Sequence, residues 1–348
     1  MPHLWLRAES KPSERRVALA PAAARELIAA GFSVSVEECG NRVFDTRQYR
    51  AAGCRIVPYA SWPDAPPDCY VLGLKELPGP LPALRHRHIY FAHAYKQQEG
   101  WKALLRRFAG DGGRLLDLEY LLDDNGRRIA AFGYWAGFAG AALGVMARLA
   151  QPGMLDPAGS YGNKDQLLAQ LSDLLESSSL RPRIIIIGAK GRCGSGAAEL
   201  CRELGIETTL WDLEETAQGG PFPEILEHDI FLNCVFVRSA TPPFLTREVL
   251  AESRRLSVIV DVSCDPFADY NPLPIYDQCT TFSRPALRLM DEPVLDLIAI
   301  DHLPSMLPEE SSEDFSSQLL GALMELPDGR VWQRALELFA EKAAAANK

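Results

Sequence analysis

The chain contains no run of about 18 apolar residues, so no membrane-spanning helix is expected. Cations are outnumbered. Lys and Arg total 36 against 46 Asp and Glu, a formal charge of −10, which excludes an extended basic face for nucleic acid. It leaves room for one small cationic pocket. The N-terminus, MPHLWLRAESKPSERR, lacks the basic-then-apolar order of a secretory signal. No CxxC occurs. The eight cysteines (39, 54, 69, 193, 201, 234, 264 and 279) never stand at metal-ligand spacing with histidine, so no metal site is expected. With no export signal, most should be reduced thiols in a cytoplasmic protein, used largely as small buried hydrophobes. No internal repeat is visible. The partners to expect are small molecules.

What is present is an ordinary globular composition: 348 residues, 47% hydrophobic, 24% charged and 9% aromatic. That length suggests roughly two domains. Strand-like and helix-like segments alternate, which predicts an α/β fold with parallel sheets. In the first part the apolar runs are 4–8, 33–37, 56–57, 70–74, 88–92 and 114–118, with helices over 21–30 and near 46–52. Pro21 at the first turn and Gly31 after the last residue bracket the first of these helices. Segment 132–150 is rich in Gly and Ala and reads as a buried helix linking two domains. Segment 151–181 is polar, with one amphipathic piece at 164–176. A second sheet then opens at 183–188, RIIIIG, a β-branched run suited to burial on both faces. Its further strands are expected at 207–211, 229–235, 257–262 and 297–300. The amphipathic helix at 331–345 is expected to fold back onto the first domain. The division expected is 1–132 with 318–348, and 133–317.

The run RIIIIGAKGRCGSGAAELCRELG is a strand, a glycine turn and a helix. Gly188, Gly191, Gly194 and Gly196 are spaced to let a chain turn tightly and bring helix N–H groups against a pyrophosphate. Asp212 closes the next strand, at the distance where an acid binds ribose hydroxyls. A carboxylate there repels a 2′-phosphate, so NAD is favoured over NADP. Cys193 in this turn and Cys234, which ends the strand DIFLNC, are expected near one crevice, either as two free thiols or as a reversible disulfide.

Lys75, His93 and Glu119 each close an apolar strand in the first half. Parallel strands deliver their C-terminal residues to one edge, where α/β proteins bind ligands. With Glu76, they form a set suited to proton transfer. Arg15-Arg16 and Arg127-Arg128 are loop pairs, solvent-facing or clamps for an anionic substrate.

Several segments together resemble the NAD-dependent, lysine-forming saccharopine dehydrogenases. They are RAESKPSERRVALAP, GLKELP, FAHAYKQQ, DLEYL, GRRIAAFGYWAGFAGAALG, IIGAKGRCGSGA, WDLEETAQGGPF and IDHLPSMLP. The N-terminal R-x-E-x-K-x-x-E-x-R is also similar to the alanine dehydrogenase/transhydrogenase superfamily. The resemblance implies two Rossmann-like domains around a central cleft. It implies oxidation of saccharopine with NAD and water to lysine, 2-oxoglutarate and NADH. It further implies that Lys75 accepts a proton from the secondary amine and that His93 is the acid–base for hydrolysis, with Glu76 and Glu119 tuning the pair. The substrate contacts implied are Arg16, Gln98, Arg128, Phe132, Ser263, Cys264 and Asp265. The cofactor contacts implied are Arg127, Gly188, Gly191, Arg192, Cys193, Gly194, Asp212, Thr216, Phe236, Val262, Ile300, Asp301, His302 and Leu303. Two other readings stand beside this one. The first is a related amino-acid or opine-type dehydrogenase acting on another 2-oxo acid. The second is a non-catalytic NAD-binding redox regulator using Cys193 and Cys234. Either a monomer or a small homo-oligomer fits the sequence.

Overall fold

The computed structural model describes residues 1–79, 84–96, 100–109, 112–235, 237 and 239–346. It divides into two compact units, Met1–Ala131 with Pro308–Lys348, and Phe132–Leu307. The chain returns to the first unit at Pro308, not at 318 as the sequence suggests. A continuous helix starts at Pro308, and its Ser312 and Ser316 hydroxyls accept hydrogen bonds from the backbone N–H groups of Val17 (3.0 Å) and Ala20 (2.9 Å). That helix therefore belongs to the first unit from its first turn.

The first unit contains β1 (His3–Leu6), α1 (Pro21–Ala29), β2 (Ser33–Glu37), α2 (Thr46–Ala51), β3 (Arg55–Val57), β4 (Tyr70–Leu72), β5 (Arg87–Tyr90), α3 (Trp101–Ala109) and β6 (Arg114–Asp117). Its sheet runs β3-β2-β1-β4-β5-β6, with every pairing parallel. The order reverses between β1 and β4. The loops beyond the carboxyl ends of these two strands therefore part and leave a place for a ligand.

The second unit contains α4 (Gly133–Ala150), α5 (Lys164–Glu176), β7 (Ile184–Ile187), α6 (Arg192–Glu203), β8 (Thr208–Trp211), β9 (Ile230–Asn233), α7 (Arg247–Leu250), β10 (Val258–Asp261), β11 (Leu287–Met290) and β12 (Leu295–Ile298). Its sheet runs β11-β12-β10-β9-β7-β8. All pairings are parallel except β11 with β12, an antiparallel edge hairpin. The order reverses here between β7 and β9. In the four-isoleucine strand β7, Ile184 and Ile186 join the core formed with α4, α5 and α6, while Ile185 and Ile187 join Phe231, Ile259 and Leu297 on the other face. A strand with both faces covered has no use for a polar alternation.

Helix α4 is buried as its composition predicts, but it lies wholly in the second unit. Its small residues face α6 and β10. A Cβ on Gly144 would stand 3.0 Å from Val260 Cγ2. Segment 151–181 is less of an excursion than its polarity suggests. Leu167, Leu171 and Leu175 of α5 are buried in the core, and Tyr161 N–H donates to Met306 O (2.8 Å). The chain ends with α8 (Pro308–Met324) and α9 (Arg330–Ala346), both in the first unit. Phe339 of α9 packs edge-on against Phe108 of α3, with ring centroids 5.9 Å apart, in a core that includes Trp5, Val71 and Leu115. Fully burying one such ring contributes roughly 1.5–3 kcal/mol. No helix among the described residues is long and apolar enough to cross a membrane.

Candidate active site

In the first unit the strands stop short of the residues singled out above. β4 ends at Leu72, β5 at Tyr90 and β6 at Asp117. Lys75, His93 and Glu119 thus stand in the loops just past the strands rather than on their last positions. Side chains replace the lost ladder there. The Glu9 carboxylate accepts the N–H groups of Leu74 (2.7 Å) and Lys75 (3.0 Å). Arg7, itself 3.3 Å from Glu9, donates to the Lys75 carbonyl. Arg7 and Glu9 are both buried, and they clamp the main chain on either side of Lys75.

His93 has a φ of +52°, a conformation uncommon outside glycine and held here by its surroundings. Burial keeps its imidazole below the usual 6.5. Glu76 and Glu119 pull it upward, while Lys75 and Lys96 push it down. These four side chains therefore all lie within electrostatic reach of His93. Burial tends to raise the Glu76 carboxyl, but Lys11, at 2.9 Å, and Lys75 hold it below the ordinary carboxylate value. Glu119 is paired with Arg128 (2.7 Å) and Lys96 (3.4 Å). Lys11 and Lys96 stand inside the quoted motifs, which give neither of them a role.

Asp117 was also missed. It is 2% exposed, and its Oδ1 accepts the N–H groups of Ala92 (3.4 Å) and Glu119 (3.0 Å), the neighbours of His93 and Glu119 itself. Burial raises its carboxyl to about 7, against those two hydrogen bonds, which lower it. The folded state then holds a proton that the unfolded chain, titrating near 3.8, gives up earlier. Stability should fall as pH rises from about 4 to about 7 and level off above that. Asp117→Asn keeps the accepting oxygen and removes the titration. Urea unfolding across this range should show a shallower decline in the variant, and equal slopes would refute the assignment.

Arg16 is buried and forms a two-pronged pair with Glu14 (Nε to Oε1 2.8 Å, Nη2 to Oε2 2.7 Å). Burial raises the Glu14 carboxyl, but the bonds from Arg16 outweigh it and hold the acid below its ordinary value. Any substrate carboxylate at Arg16 would meet a guanidinium already oriented. Arg127 and Arg128 are exposed on a tight turn closed by Asp123, whose Oδ1 accepts the Arg127 N–H (2.8 Å).

In the second unit the glycine turn joins β7 to α6, whose N-cap is Gly191. Gly188 has a φ of +88°, and a side chain there would press on the Cys234 backbone at 3.0 Å. A Cβ on Gly194 would lie 2.2 Å from the Gly188 carbonyl, so the turn closes on itself only without side chains. The N–H groups of Gly188 and Ala189 donate to the Trp211 carbonyl (2.9 and 3.0 Å). The Asp212 carboxylate accepts from Lys190 N–H (2.7 Å) and Leu213 N–H (2.9 Å). Thr216 Oγ1 donates to the Asp212 carbonyl (2.8 Å). This bare turn, the helix N-terminus and the acid just past the next strand fit a dinucleotide.

Beyond β9 and β10 the same edge carries Cys234, Val262 and Ser263. Asp261 Oδ1 accepts from Ser263 Oγ (2.6 Å) and N–H (3.1 Å), and Asp265 is exposed. No disulfide joins Cys193 and Cys234. Burial first, and then Cys193, push the Cys234 thiol far up. Phe132 is the N-cap residue of α4 and Arg192 opens α6. In the turn after β12, Ile300 and Leu303 are buried, Asp301 pairs with His302, and His302 stacks edge-on with Phe282 at 5.0 Å. Gln98 and Phe236 lie outside the described residues.

Residues 5–139 match the family described as alanine dehydrogenase/PNT, N-terminal domain. The chain is 47% identical over 364 residues to a saccharopine dehydrogenase (NAD+, L-lysine-forming) of Emericella nidulans, covering 98% of this chain and 97% of that one. The chain belongs to this saccharopine dehydrogenase family. A second member, from Schizosaccharomyces pombe, is 45% identical over 358 residues, 97% of each chain. Among solved structures an L-alanine dehydrogenase superimposes with a TM-score of 0.67 at 19% identity, covering 98% of this chain and 93% of that one. That likeness extends the two-sheet α/β fold beyond the saccharopine dehydrogenases.

Proposed function

We propose that the protein catalyses NAD-dependent oxidative deamination of saccharopine to L-lysine and 2-oxoglutarate. The observation that carries this reading is the group formed by Lys75 and His93 with Glu76, Glu119 and Lys96, gathered beyond the carboxyl ends of β4, β5 and β6. Saccharopine joins the lysine side-chain nitrogen to a glutaryl carbon. NAD+, when bound, accepts hydride from that carbon. Lys75 takes the proton from the secondary amine as the carbon–nitrogen bond becomes an imine. His93, held neutral by burial, removes a proton from the attacking water and returns it to the departing lysine nitrogen. Glu76 and Glu119 hold nearby cations and set the charge felt by the pair. Arg16 and Arg128 would bind substrate carboxylates. The dinucleotide would lie on Gly188, Gly191, Arg192, Cys193 and Gly194. Asp212 would hold its ribose, and Thr216, Val262 and the Ile300–Leu303 turn would border it.

The test is turnover followed by NADH absorbance. Saccharopine with NAD+ should produce NADH, and lysine with 2-oxoglutarate should consume it. Pyruvate with ammonia should do neither. Turnover of the second pair in place of the first would return the function to another 2-oxo acid, and NADH binding with no turnover at all would return it to a regulator. Asp212→Ala is expected to weaken NAD+ and to narrow the preference over NADP+, because the repelling carboxylate is gone. Steady-state KM values for the two cofactors check this. An unchanged ratio means the acid is not on the ribose.

A further inference from the structure

Cys264 and Cys279 take no part in the proton chemistry, yet they face each other. Their sulfurs are 3.4 Å apart, against about 2.0 Å in a disulfide. Both belong to the second unit, and both are free thiols. Each is anchored by its main chain. Cys264 has a φ of +48°, and its N–H donates to Asp261 Oδ1 (3.4 Å). That buried carboxylate is itself fixed by Asn233 Nδ2 (3.0 Å) and by the Tyr276 hydroxyl (2.7 Å). Cys279 precedes Thr280, whose N–H donates to the Ala299 carbonyl (2.7 Å) and whose hydroxyl accepts the Ala299 N–H (2.9 Å). Two separately held loops thus bring their sulfurs together. Their accessibility differs: Cys279 is exposed and Cys264 is half-buried.

We propose that Cys264 and Cys279 are a modification site, closing a reversible disulfide when the protein meets a small disulfide such as oxidised glutathione. Burial, and then the neighbouring thiol, raise the Cys264 sulfhydryl, so it is a poor first nucleophile. The exposed partner starts the reaction. The Cys279 thiolate attacks one sulfur of oxidised glutathione, forming a mixed disulfide and expelling one glutathione thiolate, which picks up a proton. The Cys264 sulfur, losing its proton, attacks Cys279 Sγ. The mixed disulfide breaks and the second glutathione leaves as thiol. Two protein thiols are oxidised, one small disulfide is reduced to two thiols, and no other reactant is needed. The new bond ties the 263–265 loop to the strand of chain that pairs with Ala299, just before the Ile300–Leu303 turn. Its formation does not depend on the substrate assigned to that loop.

The experiment uses the full chain and needs no turnover. The protein is incubated with oxidised glutathione, blocked with a maleimide, digested and mapped by mass spectrometry. No Lys or Arg lies between the two cysteines, so an aspartate-directed protease is used to separate them, and Asp265, Asp269 and Asp277 supply the cuts. The expected product is a peptide pair linked through Cys264 and Cys279, absent after dithiothreitol. In Cys264→Ser the glutathione should remain on Cys279, because the resolving sulfur is gone. In Cys279→Ser the Cys264 thiol should be recovered carrying maleimide. Wild-type protein in which both residues carry only maleimide or glutathione, or in which either is linked to a different cysteine, overturns the proposal.

Discussion

Lys75→Met is expected to lower kcat for saccharopine oxidation roughly 10²- to 10⁴-fold, the usual contribution of a positioned acid–base group. Methionine keeps an unbranched chain of similar length but cannot take the amine proton. The substitution spares the local backbone, because Glu9 holds the N–H of residue 75 and Arg7 its carbonyl. A fall in rate can therefore be read as lost chemistry rather than a collapsed loop. NADH affinity should stay near wild type, since the glycine turn and Asp212 belong to the other unit. His93→Gln provides the parallel case and should impair the hydrolytic half. A kcat for Lys75→Met within a few-fold of wild type would remove the residue from the mechanism, whatever the fate of the overall activity.

Gly196→Ala should have a large effect on stability. A Cβ at that position of α6 would stand 1.9 Å from the Tyr134 carbonyl oxygen and 2.8 Å from its carbon, both backbone atoms of α4. Flexible side chains can swing away from an added methyl group, but two packed helices cannot. Overpacking of this kind commonly costs about 1–3 kcal/mol and sometimes more. With a backbone carbonyl as the obstacle, the upper part of that range is expected. The turn that begins α6 shifts with the helix, so NADH binding should weaken together with the melting temperature. Thermal unfolding and NADH fluorescence titration measure both. A variant that melts and binds as the wild type does would mean that α4 and α6 are not in contact through Gly196.

The parts of the site that could be read in the sequence are those whose chemistry is tied to local spacing. The glycine turn, the isoleucine strand before it and Asp212 after it fall within one short stretch, and each restricts the backbone. Lys75, His93 and Glu119 were legible because each follows an apolar run. What sequence reading missed depends on residues distant along the chain. Glu9 stands in the R-x-E-x-K pattern, but its part as acceptor from Leu74 and Lys75 depends on residues far along the chain. Asp117 looks like a strand-closing polar residue, and only burial reveals its raised carboxyl. The edge strand β11 carries an Arg and partly exposed positions, so it has neither the apolar run nor the clean alternation of a core strand. PEESSEDFSSQ, the start of α8, reads as a solvated segment. Three of its serines are nonetheless fully enclosed, two of them bonded to the backbone ahead of α1. α3 was overlooked because Arg106 and Arg107 hide an amphipathic stripe that ends in the buried Phe108.

The first unit is finished by helices encoded at the far end of the chain. On a ribosome its sheet is made first, while α8 and α9 emerge only after the whole second unit has been synthesised. Until then Phe108 and Leu115 lack the cover that Phe339 later provides. The second unit, continuous in the message, can fold while translation is still under way. The first must wait until α9 has been made, and during that interval it exposes apolar surface that a chaperone, or another nascent copy, can bind.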